Sequence, residues 1–152
     1  MRLRVAVQAD SFDVGDEAAM VHADDPAIGA VVTFTGYVRD EGGRLAALEL
    51  EHFPGMAESQ LRTLASEAGG RWPLAATTII HRHGMLKPGE PIVLVVTASA
   101  HRRAAFEAAD FLMDYLKTQA PFWKKQHPVG PHAEAAWVEA KASDDADADR
   151  WR

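Results

Sequence analysis

Five consecutive residues, Ile92-Val93-Leu94-Val95-Val96, place an apolar side chain on both sides of an extended chain. Successive strand residues point to opposite faces, so this run predicts a central strand, Ile92 to Thr97, buried on both. A second β-rich run, Thr77 to His81, precedes it across the turn Lys87-Pro88-Gly89-Glu90. A chain of 152 residues is long enough to enclose such a strand in one domain with a real core.

The remaining elements follow from spacing and punctuation. Met1 to Val7 reads as a first strand, its apolar stretch being too short for a signal peptide. Ile28 to Val38 and Leu45 to Phe53 read as two strands, and the turn signal Asp40-Glu41-Gly42-Gly43 between them predicts a hairpin. Pro54-Gly55 opens a helix with Ala57, Leu61, Leu64 and Ala68 on one face, and Gly69-Gly70 closes it. The longest helix runs from about Ala100 to Thr118, with Ser99 as N-cap and Pro121 behind its end. Phe106, Ala109, Met113 and Leu116 mark its buried stripe, widened by Phe111, Leu112 and Tyr115. Phe122 to Gln126 and Ala136 to Lys141 form two late strands around Pro128-Val129-Gly130-Pro131. Strands interleaved with helices and hairpins give an α+β class with a mixed or antiparallel sheet. Residues 1–142 read as a single domain, and 143–152 as a solvated, poorly ordered tail. That tail holds Asp144, Asp145, Asp147 and Asp149, four of the chain's 22 acidic residues, in a chain of net charge −6.

Composition excludes several kinds of chemistry. With no cysteine, the chain has no disulfide, thiolate metal site, persulfide or thiol nucleophile. Any sulfur it handles must be carried in by a partner. No apolar run approaches the roughly 20 residues of a membrane span, and without an export signal the expected compartment is the cytoplasm. Residues 101–125 are locally basic, with Arg102, Arg103, Lys117, Lys124 and Lys125 against Glu107, Asp110 and Asp114. That suits a small anion, whereas a nucleic acid needs a broad basic face.

Three clusters carry candidate chemistry. Lys117 falls in the last turn of the long helix, where the dipole favours a cation, and Lys124 and Lys125 follow Pro121-Phe122-Trp123. Two lysines in a partly apolar pocket lower each other's pKa, which prepares an amine for nucleophilic or general-base work. A capping lysine followed by surface lysines accounts for the same residues. His101 and Arg102 stand at the helix start, where backbone N–H groups and a guanidinium suit a phosphate; a solvated helix start is the plain alternative. Arg39 closes the strand Phe34-Thr35-Gly36-Tyr37-Val38-Arg39, a position where strand meets loop. His81 and His83 are two apart and invite a metal reading, including a metal-dependent hydrolase, but no third ligand is evident. No phosphate loop, dinucleotide fingerprint or zinc spacing occurs.

These segments resemble, in order along almost the whole chain, the large subunit of the molybdopterin synthase family. The matching stretches begin with Gly29-Ala30-Val31-Val32-Thr33-Phe34-Thr35-Gly36, Leu48-Glu49-Leu50-Glu51-His52 and Arg71-Trp72-Pro73-Leu74. Ile80-His81-Arg82, Ser99-Ala100-His101-Arg102 and Met113-Asp114-Tyr115-Leu116-Lys117-Thr118 follow, and Ala120-Pro121-Phe122-Trp123-Lys124 completes the series. The resemblance implies an α/β-hammerhead fold and a sulfurtransferase without a cofactor or metal of its own. The implied reaction adds two sulfurs to cyclic pyranopterin monophosphate and gives the dithiolene of molybdopterin. Sulfur comes from the C-terminal thiocarboxylate of a small ubiquitin-like subunit. The implied assembly is a central homodimer within a heterotetramer. Lys117, Lys124 and Arg39 resemble catalytic residues. Tyr37, Val38, His101, Arg102, Lys125, Gln126 and Lys141 join them as substrate-binding positions. Three departures stand out: Gln126 where an acidic residue is common, Lys141 where arginine occurs, and a short loop from Asp40 to Arg44. A family member that only binds the ubiquitin-like tail or the pterin is the alternative; the retention of Lys117 with Lys124 argues against it.

The long helix also sets a geometric expectation. Lys117 lies sixteen residues after His101, about 24 Å along the axis at 1.5 Å per residue. A pterin monophosphate is too small to bridge that gap, so one pocket using both ends must draw on two copies of the chain.

Overall fold

The computed structural model describes residues 1–119, 121–138 and 142–152. Along the chain run β1 (Arg2–Gln8), α1 (Val14–His22), β2 (Ala30–Tyr37), β3 (Leu45–His52), α2 (Met56–Arg71) and β4 (Leu74–Arg82). Then come β5 (Gly84–Leu86), β6 (Pro91–Ser99), α3 (Arg102–Gln119), β7 (Phe122–Pro128), β8 (Ala136–Trp137) and α4 (Ala142–Asp149). They build two four-stranded sheets, β1-β4-β6-β2 and β5-β3-β7-β8. The first is mixed, since β1 runs parallel to β4 while the other pairs are antiparallel. The pairs of the second are antiparallel throughout. The α+β class read from the sequence is the class observed.

The apolar run sits where its composition requires. β6 lies between β4 and β2. Val93 and Val95 face the core under α2 and α3, with Leu61, Phe111 and Leu112. Leu94, Val96 and Ala98 face the opposite core, with Val21 of α1 and Ile28. Burying one such aliphatic side chain contributes about 1.5–3 kcal/mol. Four in a row outweigh any strand-propensity difference, which spans roughly 1 kcal/mol. A third cluster, Val38, Leu45, Leu48, Leu50 and Leu86, sits beneath the second sheet.

The structure corrects the sequence reading at several points. β2 and β3 do not form a hairpin; they lie in different sheets. β2 pairs along its length with β6, and a bulge between Gly36 and Tyr37 ends that ladder. The positive φ of Glu41, Gly42 and Gly43 then turns the chain into the second sheet. α2 runs through Gly69-Gly70 to Arg71. A Cβ at Gly69 would come within 2.9 Å of Met1 Cε, the tip of a flexible side chain that can move aside. The helix stops at Trp72, extended at φ −130° and ψ 149°, as the following Pro73 demands. Ser99 is no N-cap: it ends β6, and its hydroxyl donates to Pro73 O at 2.8 Å. Phe106 is 59% exposed and drops out of the stripe, which gains Ala105 and Ala108, while Ala109, Phe111, Leu112, Tyr115 and Leu116 are buried as expected. β8 is short, and its expected continuation to Lys141 lies outside the described residues.

The acidic tail, expected to be poorly ordered, forms α4 against α3. Its anchors are the residues after the aspartates. The Arg150 guanidinium meets Asp110 and Asp114 at 2.8 and 2.7 Å. Trp151 packs edge-on against Trp72 and Phe111, and its Nε1 donates to Asp114. Arg71 donates to Trp151 O at 2.6 Å. Among the described residues no helix is long and apolar enough to cross a membrane.

Candidate functional site

Three structural elements bring cations to one cleft of about 500 Å³. Arg39 comes from the end of β2, Lys117 from the end of α3, and Lys124 from β7, with Tyr37, Val38, Thr118, Phe122 and Gln126 completing much of the wall. The bulge before Tyr37 redirects the chain here. Val38 is then fixed by its own backbone, with N–H to Glu90 O at 2.9 Å and C=O from Gly89 N–H at 2.7 Å. Its side chain is buried, and Arg39 beside it is turned outward.

The loop holding Val38 is braced in turn by Arg82. This buried guanidinium donates to Ala9 O at 2.9 and 3.1 Å and to Pro91 O at 3.1 Å, and pairs with Glu90 at 3.5 Å. The Lys87 N–H donates to Glu90 at 2.6 Å. Chiefly that bond, with help from Arg82, holds the Glu90 carboxyl below its ordinary pKa.

Alternation along β7 sorts its side chains. Phe122, Lys124 and Gln126 face the cleft. The intervening residues face away: Trp123 packs on Phe53, Lys125 lies over Trp137 at 5.2 Å, and His127 meets Glu49 at 2.8 Å. Lys125 is therefore not brought to the cleft. Gln126 donates weakly to Glu41 at 3.4 and 3.5 Å. An acidic side chain at 126 would repel Glu41, so the amide fits this wall. Lys117 occupies the last turn of α3, where the helix dipole favours its charge. Glu41 and Asp144 also line the cleft, so its described residues carry one net positive charge. Lys141 lies outside the described residues.

His101 and Arg102 are not brought to this cleft. They line a second pocket of about 530 Å³ at the start of α3, with Gly29, Arg103, Phe106 and Glu107. Gly29 is required by close approach: a Cβ there would fall 2.2 Å from Ala100 O. Arg103 is committed to Glu107 at 3.7 Å, and Glu107 also accepts from Trp72 Nε1 at 2.9 Å. Among the described residues, Arg39, Lys117, His101 and Arg102 have no side-chain hydrogen bond or ion pair. α3 is unbroken from Arg102 to Gln119, so the two pockets of one chain lie at opposite ends of a continuous helix.

The histidines do not form a metal centre. His81 is buried and stacks on Phe122, while its Nδ1–H donates to Arg82 O at 2.8 Å. His83 lies against His52, ring centroids 4.4 Å apart. Burial first, then the charges of Lys124, His52 and His83, push His81 down to about 4, against the lifting effect of its bond to Arg82. Among the described residues no three His, Cys, Asp or Glu side chains are grouped to hold a metal. Sequence reasoning missed Glu41, Thr118 and Asp144 in the cleft wall and the contact of His81 with Phe122. None of these had a local signal: His81 is distant in sequence from Phe122 and the lysine segment.

Comparison with known proteins shows the family. The family model described as MoaE protein matches residues 7–119. The molybdopterin synthase catalytic subunit of Mesorhizobium japonicum is 57% identical over 97% of this chain and 92% of its own. The protein of the same description from Pseudomonas aeruginosa is 53% identical over 98% of this chain and 99% of its own. The solved structure of the molybdopterin biosynthesis MoaE protein from Burkholderia ambifaria superposes with a TM-score of 0.84. It is 47% identical and covers 99% of this chain and 98% of that one. The match spans the end of β2, both ends of α3 and, in the full-length relatives, β7 as well: this chain belongs to the MoaE family.

Proposed function

We propose that this chain is the catalytic subunit of a molybdopterin synthase. It takes sulfur from the C-terminal thiocarboxylate of a small ubiquitin-like subunit and places it on cyclic pyranopterin monophosphate. The observation that carries this reading is the convergence of Arg39, Lys117 and Lys124 on one cleft. Thiocarboxylate, phosphate and the carboxylate left on the carrier are all anions, and a cationic, partly enclosed cleft stabilises each of them. In each transfer the acyl C–S bond of the carrier breaks, a C–S bond forms to the pterin side chain, and a C–O bond at that carbon breaks, its oxygen leaving as water or remaining on the phosphate. Water supplies the oxygen that returns the carrier glycine to a carboxylate. The proton movements this requires fall to the two lysine amines, as general acid–base groups. A chain without cysteine has no thiol to interrupt the transfer.

The phosphate belongs at His101 and Arg102, where backbone N–H groups of a helix start and a guanidinium combine. Since α3 separates that corner from Lys117, the working pocket joins the α3 start of one subunit to the cleft of its twofold partner. The homodimer then carries one small subunit on each cleft.

Two experiments test the assignment. Mixing the protein with thiocarboxylated small subunit and cyclic pterin is expected to yield molybdopterin; no product from a folded, fully thiocarboxylated mixture would contradict it. Arg102→Ala is expected to weaken pterin binding by about 1.5–3 kcal/mol, the value of a charge-assisted hydrogen bond, and to leave small-subunit binding near wild type. Titration calorimetry with each ligand separately reads the difference, and equal losses for both ligands would sink the phosphate role.

A further inference from the structure

His81 does not line the cleft, yet it touches the residue that introduces Lys124. Its ring lies flat on Phe122, with centroids 3.6 Å apart and planes 11° from parallel. Phe122 lines the cleft and shares its face of β7 with Lys124, two residues on. The histidine is held from behind. A carbonyl only accepts, so Nδ1 carries the proton and donates to Arg82 O at 2.8 Å, fixing the tautomer. Arg82 is itself pinned by its guanidinium to Ala9 O beyond β1 and Pro91 O in β6. The plane under Phe122 is thus tied to the rigid first sheet.

We propose that His81 is the positioning residue for Lys124: through the flat contact with Phe122 it sets how β7 enters the cleft, and so where the lysine amine stands relative to Arg39 and Lys117. Pairing of β7 with β3, His52 opposite Phe122 and Leu50 opposite Lys124, fixes register along the strand. It does not fix the strand's tilt over the first sheet, and the stacked ring does. Burial keeps the imidazole uncharged at neutral pH, so this platform brings no second positive charge beside the amine. A phenylalanine would supply the plane but leave the Arg82 carbonyl without its donor.

This inference rests on the reading of Lys124 as part of the reaction site, and the test separates the two. His81→Asn keeps a donor for Arg82 O and removes the plane; His81→Phe keeps the plane and removes the donor. The folded proteins are treated briefly with acetic anhydride from pH 7 to 10, and acetylation of Lys124 is measured against Lys125 by tandem mass spectrometry. Lys125, on the same strand but the opposite face, is the internal reference that general loosening would move as well. The Lys124-to-Lys125 ratio and its pH profile are expected to change in His81→Asn and to stay near wild type in His81→Phe. In the reconstituted reaction, kcat of His81→Asn is expected to fall about 10- to 100-fold, as a displacement of roughly 1 Å brings. The KM for the cyclic pterin is expected to hold. An unchanged ratio in His81→Asn, or a change in His81→Phe alone, would overturn the positioning role. A changed ratio with unchanged kcat would uphold the positioning and overturn the assignment of Lys124 to the reaction.

Discussion

Lys117→Ala is expected to lose about 10²- to 10⁴-fold in turnover, the range a general acid–base group contributes, with the fold intact. Lys117 is exposed at the end of α3, and the buried stripe of that helix runs on its other side. Surface substitutions away from special features stay within about 0.5 kcal/mol, so stability offers no route to so large an effect. The loss should fall on kcat more than on small-subunit binding, because removal of one exposed amine leaves the rest of the docking surface in place. Turnover measured with saturating thiocarboxylated small subunit, alongside circular dichroism, checks it. Near-normal turnover in a natively folded Lys117→Ala protein would refute the assignment.

The second large effect is on stability in acid. His81 titrates near 4 in the folded chain against an ordinary 6.5, chiefly through burial. Between those values the unfolded chain binds a proton at His81 that the folded chain does not, so stability falls as pH falls through the window. Above the ordinary value neither state is protonated there and no penalty remains. A depression of this size corresponds to about 3 kcal/mol lost on going from pH 6.5 to pH 4. Lys124, His52 and His83 act in the same direction on the ring, while its bond to Arg82 O opposes them. His83, also held below its ordinary value, adds to the slope with the same sign. Urea unfolding at a series of pH values is the measurement. His81→Phe should be less stable at neutral pH, for want of the donor to Arg82 O, but its stability should fall much less steeply between pH 6.5 and 4. A variant with the wild-type slope would show that His81 is not the buried neutral group inferred.

How much of this was legible in the sequence depends on whether a local signal decided the outcome. Val93 to Val96 read correctly because an uninterrupted apolar run has one solution, burial on both faces. Lys117 and Lys124 were legible because helix end, proline and strand place them near each other by local geometry alone. The β2–β3 hairpin failed for the opposite reason. Asp40-Glu41-Gly42-Gly43 does turn the chain, but which strand pairs with β2 is decided by β6, some fifty residues away. Spacing puts Phe106 in the core, yet Ala105 and Ala108 join Ala109 on the inner face, being small enough for close approach to the sheet. In the tail, four aspartates masked Arg150 and Trp151, whose partners Asp110, Asp114 and Trp72 are distant in sequence. Glu41 and Asp144 in the cleft wall had no local mark at all.

In the proposed dimer one working pocket takes the α3 start of one subunit and the α3 end of the other. Arg102→Ala and Lys117→Ala proteins test it when mixed and allowed to exchange subunits, at a pterin concentration low enough that the weakened binding of Arg102→Ala, like the slowed turnover of Lys117→Ala, leaves each alone with little activity. A mixed dimer holds one pocket lacking both groups and one pocket with both intact. With free exchange half of the dimers are mixed, so activity should return to about a quarter of the wild-type value, as twofold symmetry requires. Activity that stays absent after exchange is demonstrated, for instance by native mass spectrometry of differently tagged chains, would contradict the shared pocket.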